Sequence, residues 1–120
     1  MHFRYVVALL LLTAGPAMAQ ANCQSPIAPV APDGRSATQA QMVAAANDAR
    51  RFIRDSDTFQ QCLVDYVIAQ RKQAKDNKTT FDKSIADDAT KRVDENQATK
   101  VKVGANVNSA LAAYKSAHPQ

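Results

Sequence analysis

From Ser36 onward the chain carries neither glycine nor proline until well past Asn77. Along it Met42, Ala45, Ala49, Phe52, Ser56, Phe59, Leu63 and Tyr66 fall at alternating steps of three and four. A 3.5-residue period draws one seam down a helix, the spacing that packs it against a partner helix. Ala46, Ile53 and Val67 widen the stripe. At its start, Ser36 with Gln39 or Thr38 with Gln41 offers a capping box, in which hydroxyl and amide each satisfy an orphan backbone donor.

The polar stretch Lys75-Asp76-Asn77-Lys78-Thr79-Thr80 ends this first helix. Its lysines complement the negative end of the helix dipole, and Asp82 does the reverse for the next N-terminus. Thr79 or Thr80 is read as the cap of a second helix. Phe81, Ile85, Ala89, Val93, Val103, Val107, Ala110 and Tyr114 form its apolar face, which Asn96 and Lys100 interrupt. Gly104 weakens it by about 1 kcal/mol relative to alanine, and Pro119 stops it. Two long helices joined by a short turn fold back antiparallel. The fold class is therefore all-α, a two-helix hairpin over 36–120. Pairing around the turn sets Met42 near Tyr114, Ala49 near Val107, Leu63 near Val93, and Phe52 opposite Gly104, whose missing side chain leaves room for the ring. Arg51 with Asp55, Asp87 with Lys91 and Asp88 with Arg92 are four apart and mark solvated faces.

Residues 20–35 form a Pro-rich lead in which Pro26, Pro29 and Pro32 recur every third residue. That suits polyproline II, which repeats every three residues. Pro32-Asp33-Gly34 reads as a turn, with glycine free to take the strained position. From Ser36 to Cys62 a helix rises about 39 Å, and thirteen polyproline residues back to Cys23 span about 40 Å. The lengths match. The lead can run back along the hairpin as a third layer, pinned by a Cys23–Cys62 disulfide worth roughly 4 kcal/mol in the chain-entropy model. A redox-active pair is the alternative, but such pairs sit close in sequence.

The disulfide presupposes export. Arg4, the apolar run Val6 to Leu12, Pro16 and Ala17-Met18-Ala19 have the layout of a cleaved secretory signal over 1–19, with cutting after Ala19. The run is far shorter than the ~20 residues that cross a bilayer, so no transmembrane segment is expected. Asn22 before Cys23 lacks the small residue that a lipidation site needs. The expectation is a periplasmic or secreted protein.

Composition narrows the function. Leu, Ile, Val and Phe are scarce, which leans toward disorder, while many alanines favour helix. With 15 Lys and Arg (Arg4 among them) against 11 Asp and Glu, the charge is too mild for nucleic acid. His118 sits near the C-terminus, and cysteines in a disulfide supply neither a nucleophile nor a zinc ligand. The neighbours Asp87-Asp88 and Asp94-Glu95 point about 100° apart on a helix and do not converge. Asn77-Lys78-Thr79 matches a short glycosylation pattern. No catalytic residue, metal site or cofactor is expected.

One cluster stands out. Arg71, Lys72, Lys75, Lys78 and Lys83 surround the turn with only Asp76 and Asp82 against them, a tip that could meet an anionic envelope surface. Dipole compensation and solubility are the plainer account. The seam is longer than the lead can cover, which also predicts weak self-association into a four-helix bundle.

Cys23, Pro26, Pro29 and Pro32-Asp33-Gly34 at one end, with Asn106-Val107-Asn108, Ala113-Tyr114 and Ala117-His118-Pro119 at the other, resemble a group of small exported bacterial helical proteins. The resemblance implies no activity. Glu95 to Lys100 is similar to the tail of murein lipoprotein, but this chain lacks the lipid cysteine and ends in Gln120. The reading is a non-enzymatic envelope component that binds a partner or serves structurally. The alternative is a chaperone-like or inhibitor protein that grips exported clients. An exposed apolar groove beside the closed disulfide favours the second, a sealed core the first.

Overall fold

Two helices and one extended segment build the fold, a computed structural model that describes residues 23–120. The expected signal and its cleavage site lie outside the described residues. Helix α1 spans Gln39–Asp76 and helix α2 spans Lys83–Ala117. No strand is formed among the described residues.

Of the two capping boxes, Thr38 with Gln41 is the one used. Thr38 Oγ1 accepts from the Gln41 amide at 3.2 Å, and Gln41 Oε1 accepts from the Thr38 amide at 2.8 Å. Ser36 instead turns back on Asp33, whose carbonyl accepts from the amides of Ser36 and Ala37 at 3.2 and 2.9 Å. At the other end the Thr79 amide donates to Ala74 O at 2.9 Å and the Lys78 amide to Lys75 O at 3.2 Å. This is a Schellman close, and it puts Lys78 at φ 52°, where glycine is the usual residue. Neither Thr79 nor Thr80 caps α2. Thr79 is occupied in closing α1, and Asp82 takes the cap, its carboxylate accepting from the Ser84 amide at 2.9 Å and hydroxyl at 2.7 Å.

The helices meet along three small clusters. Met42 packs with Ala37 and Ala110, Ala49 and Phe52 with Val103, and Phe59 and Leu63 with Ala89. Tyr114, Val107 and Val93 join these clusters in the pairing read from the seam. Each cluster also takes one residue of the extended segment: Ala31, Ala28 and Cys23 respectively. The segment is thus a third layer rather than a tail. Its three-residue repeat sorts the side chains, with the small Ala28, Ala31 and Gly34 inward and Ile27 and Val30 outward at 94% exposure. Cys23–Cys62 closes it, with the Cα atoms 5.7 Å apart, and Arg92 donates to the Cys23 carbonyl at 2.9 Å.

Both glycine expectations need correction. Gly34 does not adopt a positive φ. It is needed because the segment approaches the α2 backbone so closely that a Cβ would run into Ala110 and the Tyr114 nitrogen. Gly104 makes no room for Phe52, since a Cβ there would meet nothing within 4 Å.

The interruption at Asn96 and Lys100 is a polar layer between the helices. Asn96 Nδ2 donates to the fully buried Ser56 Oγ at 3.1 Å, and Gln60 Nε2 donates to Asn96 Oδ1 at 2.8 Å. Lys100 reaches across to pair with Asp57. The three ion pairs expected along the helices form differently. Arg51 meets Asp48 at 3.8 Å, Lys91 meets Glu95 at 3.9 Å, and Arg92 turns inward over the Phe59 ring at 5.3 Å. An i,i+4 pair is worth only a few tenths of a kcal/mol, too little to hold Arg92 outside when a partly buried carbonyl and a ring are within reach.

Candidate binding groove and cationic loop end

Cys62 and Val64 are two residues apart, hence about 200° apart around α1. The disulfide holds the extended segment on the Cys62 side, and the Val64 side carries no cover from it. There the helices leave a groove of about 340 Å3, lined by Leu63, Val64, Val67, Ile68, Ala86, Ala89, Thr90 and Val93, with Arg71 beside them. Its concavity has a local cause. The α2 wall offers the small Ala86 and Ala89, with Thr90 beside them, opposite the larger Val64 and Ile68 of α1. Leu63 and Ala89 are buried at the floor, while Val64 and Ile68 stand 46% and 59% exposed. Taking such a side chain from full exposure to full burial is worth about 1.5–3 kcal/mol, so the exposed half of each still offers on the order of 1 kcal/mol to an apolar partner.

Sequence reasoning placed Leu63, Val67, Ala89 and Val93 on apolar faces and overlooked Val64, Ile68, Ala86 and Thr90 beside them. The signal was there: Val64, Val67 and Arg71 also follow steps of three and four, in a row displaced by one residue from the seam, with Ile68 four after Val64.

The five tip cations are only partly free. Lys72 Nζ pairs with Asp76 at 2.6 Å, and the Arg71 guanidinium stacks on Phe81 at 4.4 Å. Among the described residues Lys75, Lys78 and Lys83 enter no ion pair. Asp82 is tied to its capping role, and the hydrogen bonds from the Ser84 hydroxyl and then its amide hold its carboxyl below the usual range. At the opposite end the Arg35 side chain and amide do the same for Asp33.

The remaining polar groups do not converge. Among the described residues no three of His, Cys, Asp and Glu gather as a metal site would need. His118 stacks on Tyr114 with ring centroids 4.2 Å apart and its Nδ1 lies 3.0 Å from the Tyr114 carbonyl. Neither cysteine is free. Among the described residues no helix is long and apolar enough to cross a membrane. What the site offers is apolar area next to positive charge. No protein-family model, curated protein or solved structure matches the chain.

Proposed function

We propose that the chain is an exported, non-enzymatic binding protein that grips apolar segments of exported clients in the groove between α1 and α2. The observation that carries this reading is the open groove itself, floored by Leu63 and Ala89 on the face away from the closed Cys23–Cys62 bond. The cations nearby favour clients with acidic residues flanking the apolar stretch.

The test is suppression of aggregation of heat-unfolded citrate synthase by the oxidised protein, followed by light scattering. Wild type delays scattering, and Val64→Gln with Ile68→Gln, a change that keeps helix propensity, removes the delay. Equal delay by both proteins, or none by either, overturns the reading. A second reading, contact of the loop end with an anionic envelope surface, draws on Lys75, Lys78 and Lys83, which enter no ion pair among the described residues. It requires salt-sensitive cosedimentation with anionic vesicles that is lost when Lys72, Lys75 and Lys78 are changed to Gln.

A further inference from the structure

Taking the groove as a binding surface, we infer that in the absence of a client it is covered by a second copy of this chain, giving an antiparallel four-helix bundle.

The open face extends beyond the groove. On α1, Val43, Arg50, Asp57, Val64 and Arg71 recur every seventh residue, each one place after a seam position such as Met42, Ala49, Ser56 or Leu63. On α2, Thr90, Gln97, Gly104 and Leu111 each follow one of the buried Ala89, Asn96, Val103 and Ala110. Thr90 lines the groove, so its row lies on the open side. Asp87 and Asp94, three before and four after Thr90, run beside it, and Val101 follows seven after Asp94. Val43, Val64, Ile68, Val101 and Leu111 are 54%, 46%, 59%, 64% and 39% exposed. Together they present on the order of 400 Å2 per copy, about half of what each side of a specific interface buries. Thr90 and Gln97 of the α2 row, and Ala46 one turn from Val43, add to that area.

Two such faces can meet about a two-fold axis in two ways. With the axis along the hairpin, α1 lies on α2 of the second copy and every helix has antiparallel neighbours. Leu63 pairs in height with Val93, so Arg71 then stands about 3 Å in height from Asp87 of the second copy, cation over anion. With the axis across the groove, α2 lies on its own counterpart and Asp87 meets Asp94. Charge selects the first arrangement. The loop cations that it brings to one end are exposed and screened by salt.

Sedimentation velocity of the oxidised protein over a concentration series tests this, with circular dichroism confirming that each variant is folded. The dimer fraction rises with concentration for wild type, falls about tenfold in affinity for Asp87→Arg, and recovers when Arg71→Asp is added. A wild type that stays monomeric, an Asp87→Arg protein that associates as wild type does, or a double variant without recovery overturns the inference. Asp87 lies outside the groove lining, so Asp87→Arg separates the two readings. If it suppresses citrate synthase aggregation at least as well as wild type while dimerising less, both stand. Suppression by a wild type that is monomeric overturns the dimer alone, and a dimer without suppression overturns the client reading alone.

Discussion

The two glycines with opposite surroundings give the sharpest test of the three-layer packing. A Cβ on Gly34 would lie 2.7 Å from the Ala110 carbonyl carbon and 2.9 Å from the Tyr114 nitrogen, closer still to the Ala110 oxygen. Carbon atoms rest about 3.5–4.0 Å apart, and the obstacle is helix backbone, which cannot swing aside. The segment must therefore lift by on the order of 1–2 Å and loosen Ala31 from Met42 and Ala110. Overpacking of this kind costs about 1–3 kcal/mol. The backbone entropy removed from the unfolded chain returns about 0.4–1 kcal/mol, since no positive φ has to be given up. A net loss of about 1–2 kcal/mol lowers the melting temperature of a chain this size by roughly 10 °C. The loss has a ceiling, because the lead can peel away at this end while Cys23–Cys62 tethers the other. Gly104→Ala meets empty space inside α2 and should raise stability by about 1 kcal/mol, moving the melt the other way by about 4–8 °C. Thermal denaturation of the oxidised proteins by circular dichroism reads both. A Gly34→Ala protein as stable as wild type would refute the close approach, and a Gly104→Ala protein that melts lower would refute the open one.

Three further outcomes follow from the caps and the polar layer. Lys78→Gly relieves a left-handed backbone and stabilises by about 1 kcal/mol in denaturant titration, whereas a loss there contradicts the Schellman close. Asn96→Ala strands the buried Ser56 hydroxyl and one Gln60 donor, and its midpoint should fall by an amount equivalent to about 2 kcal/mol. The folded Asp82 carboxyl titrates below its ordinary 3.8, so its contribution is present above that value and is lost as pH falls through the lowered one. The melting gap between wild type and Asp82→Ala should accordingly be widest near neutrality and narrow below pH 3.8, while a gap unchanged down to pH 2 rules out the charged cap.

The hairpin was legible because its signals are local and periodic. The seam from Met42 to Tyr66 dictates a helix and a partner, and the single polar break after Lys75 dictates where the chain reverses. The disulfide and the course of the lead followed from two lengths that agree. What escaped the sequence depends on choices between near-equal options. Thr79, Thr80 and Asp82 are all competent caps, and only the register of the Schellman turn leaves the role to Asp82. Asn96 and Lys100 look like breaks when α2 is read alone, and become partners only once Ser56, Gln60 and Asp57 stand opposite them. Gly34 read as a turn residue because close approach to Ala110 is a property of two distant segments. The groove was half visible for the same reason: Val64, Val67 and Ile68 are apolar in sequence, but their openness depends on which side of α1 the lead takes.

The disulfide braces the three layers unequally. It joins the extended segment to α1 and leaves α2 attached by the loop and by non-covalent contacts. Four residues of α2 are buried, Ala89, Asn96, Val103 and Ala110, against seven of α1, and two of the four are alanine. Opening therefore has a preferred direction: α2 swings out on the loop while the lead stays fastened to α1. In amide hydrogen exchange this ranks the layers, with α2 protons exchanging through that sub-global opening and the middle of α1, around Ser56 to Leu63, protected up to global unfolding. Such a motion widens the groove without breaking any covalent bond.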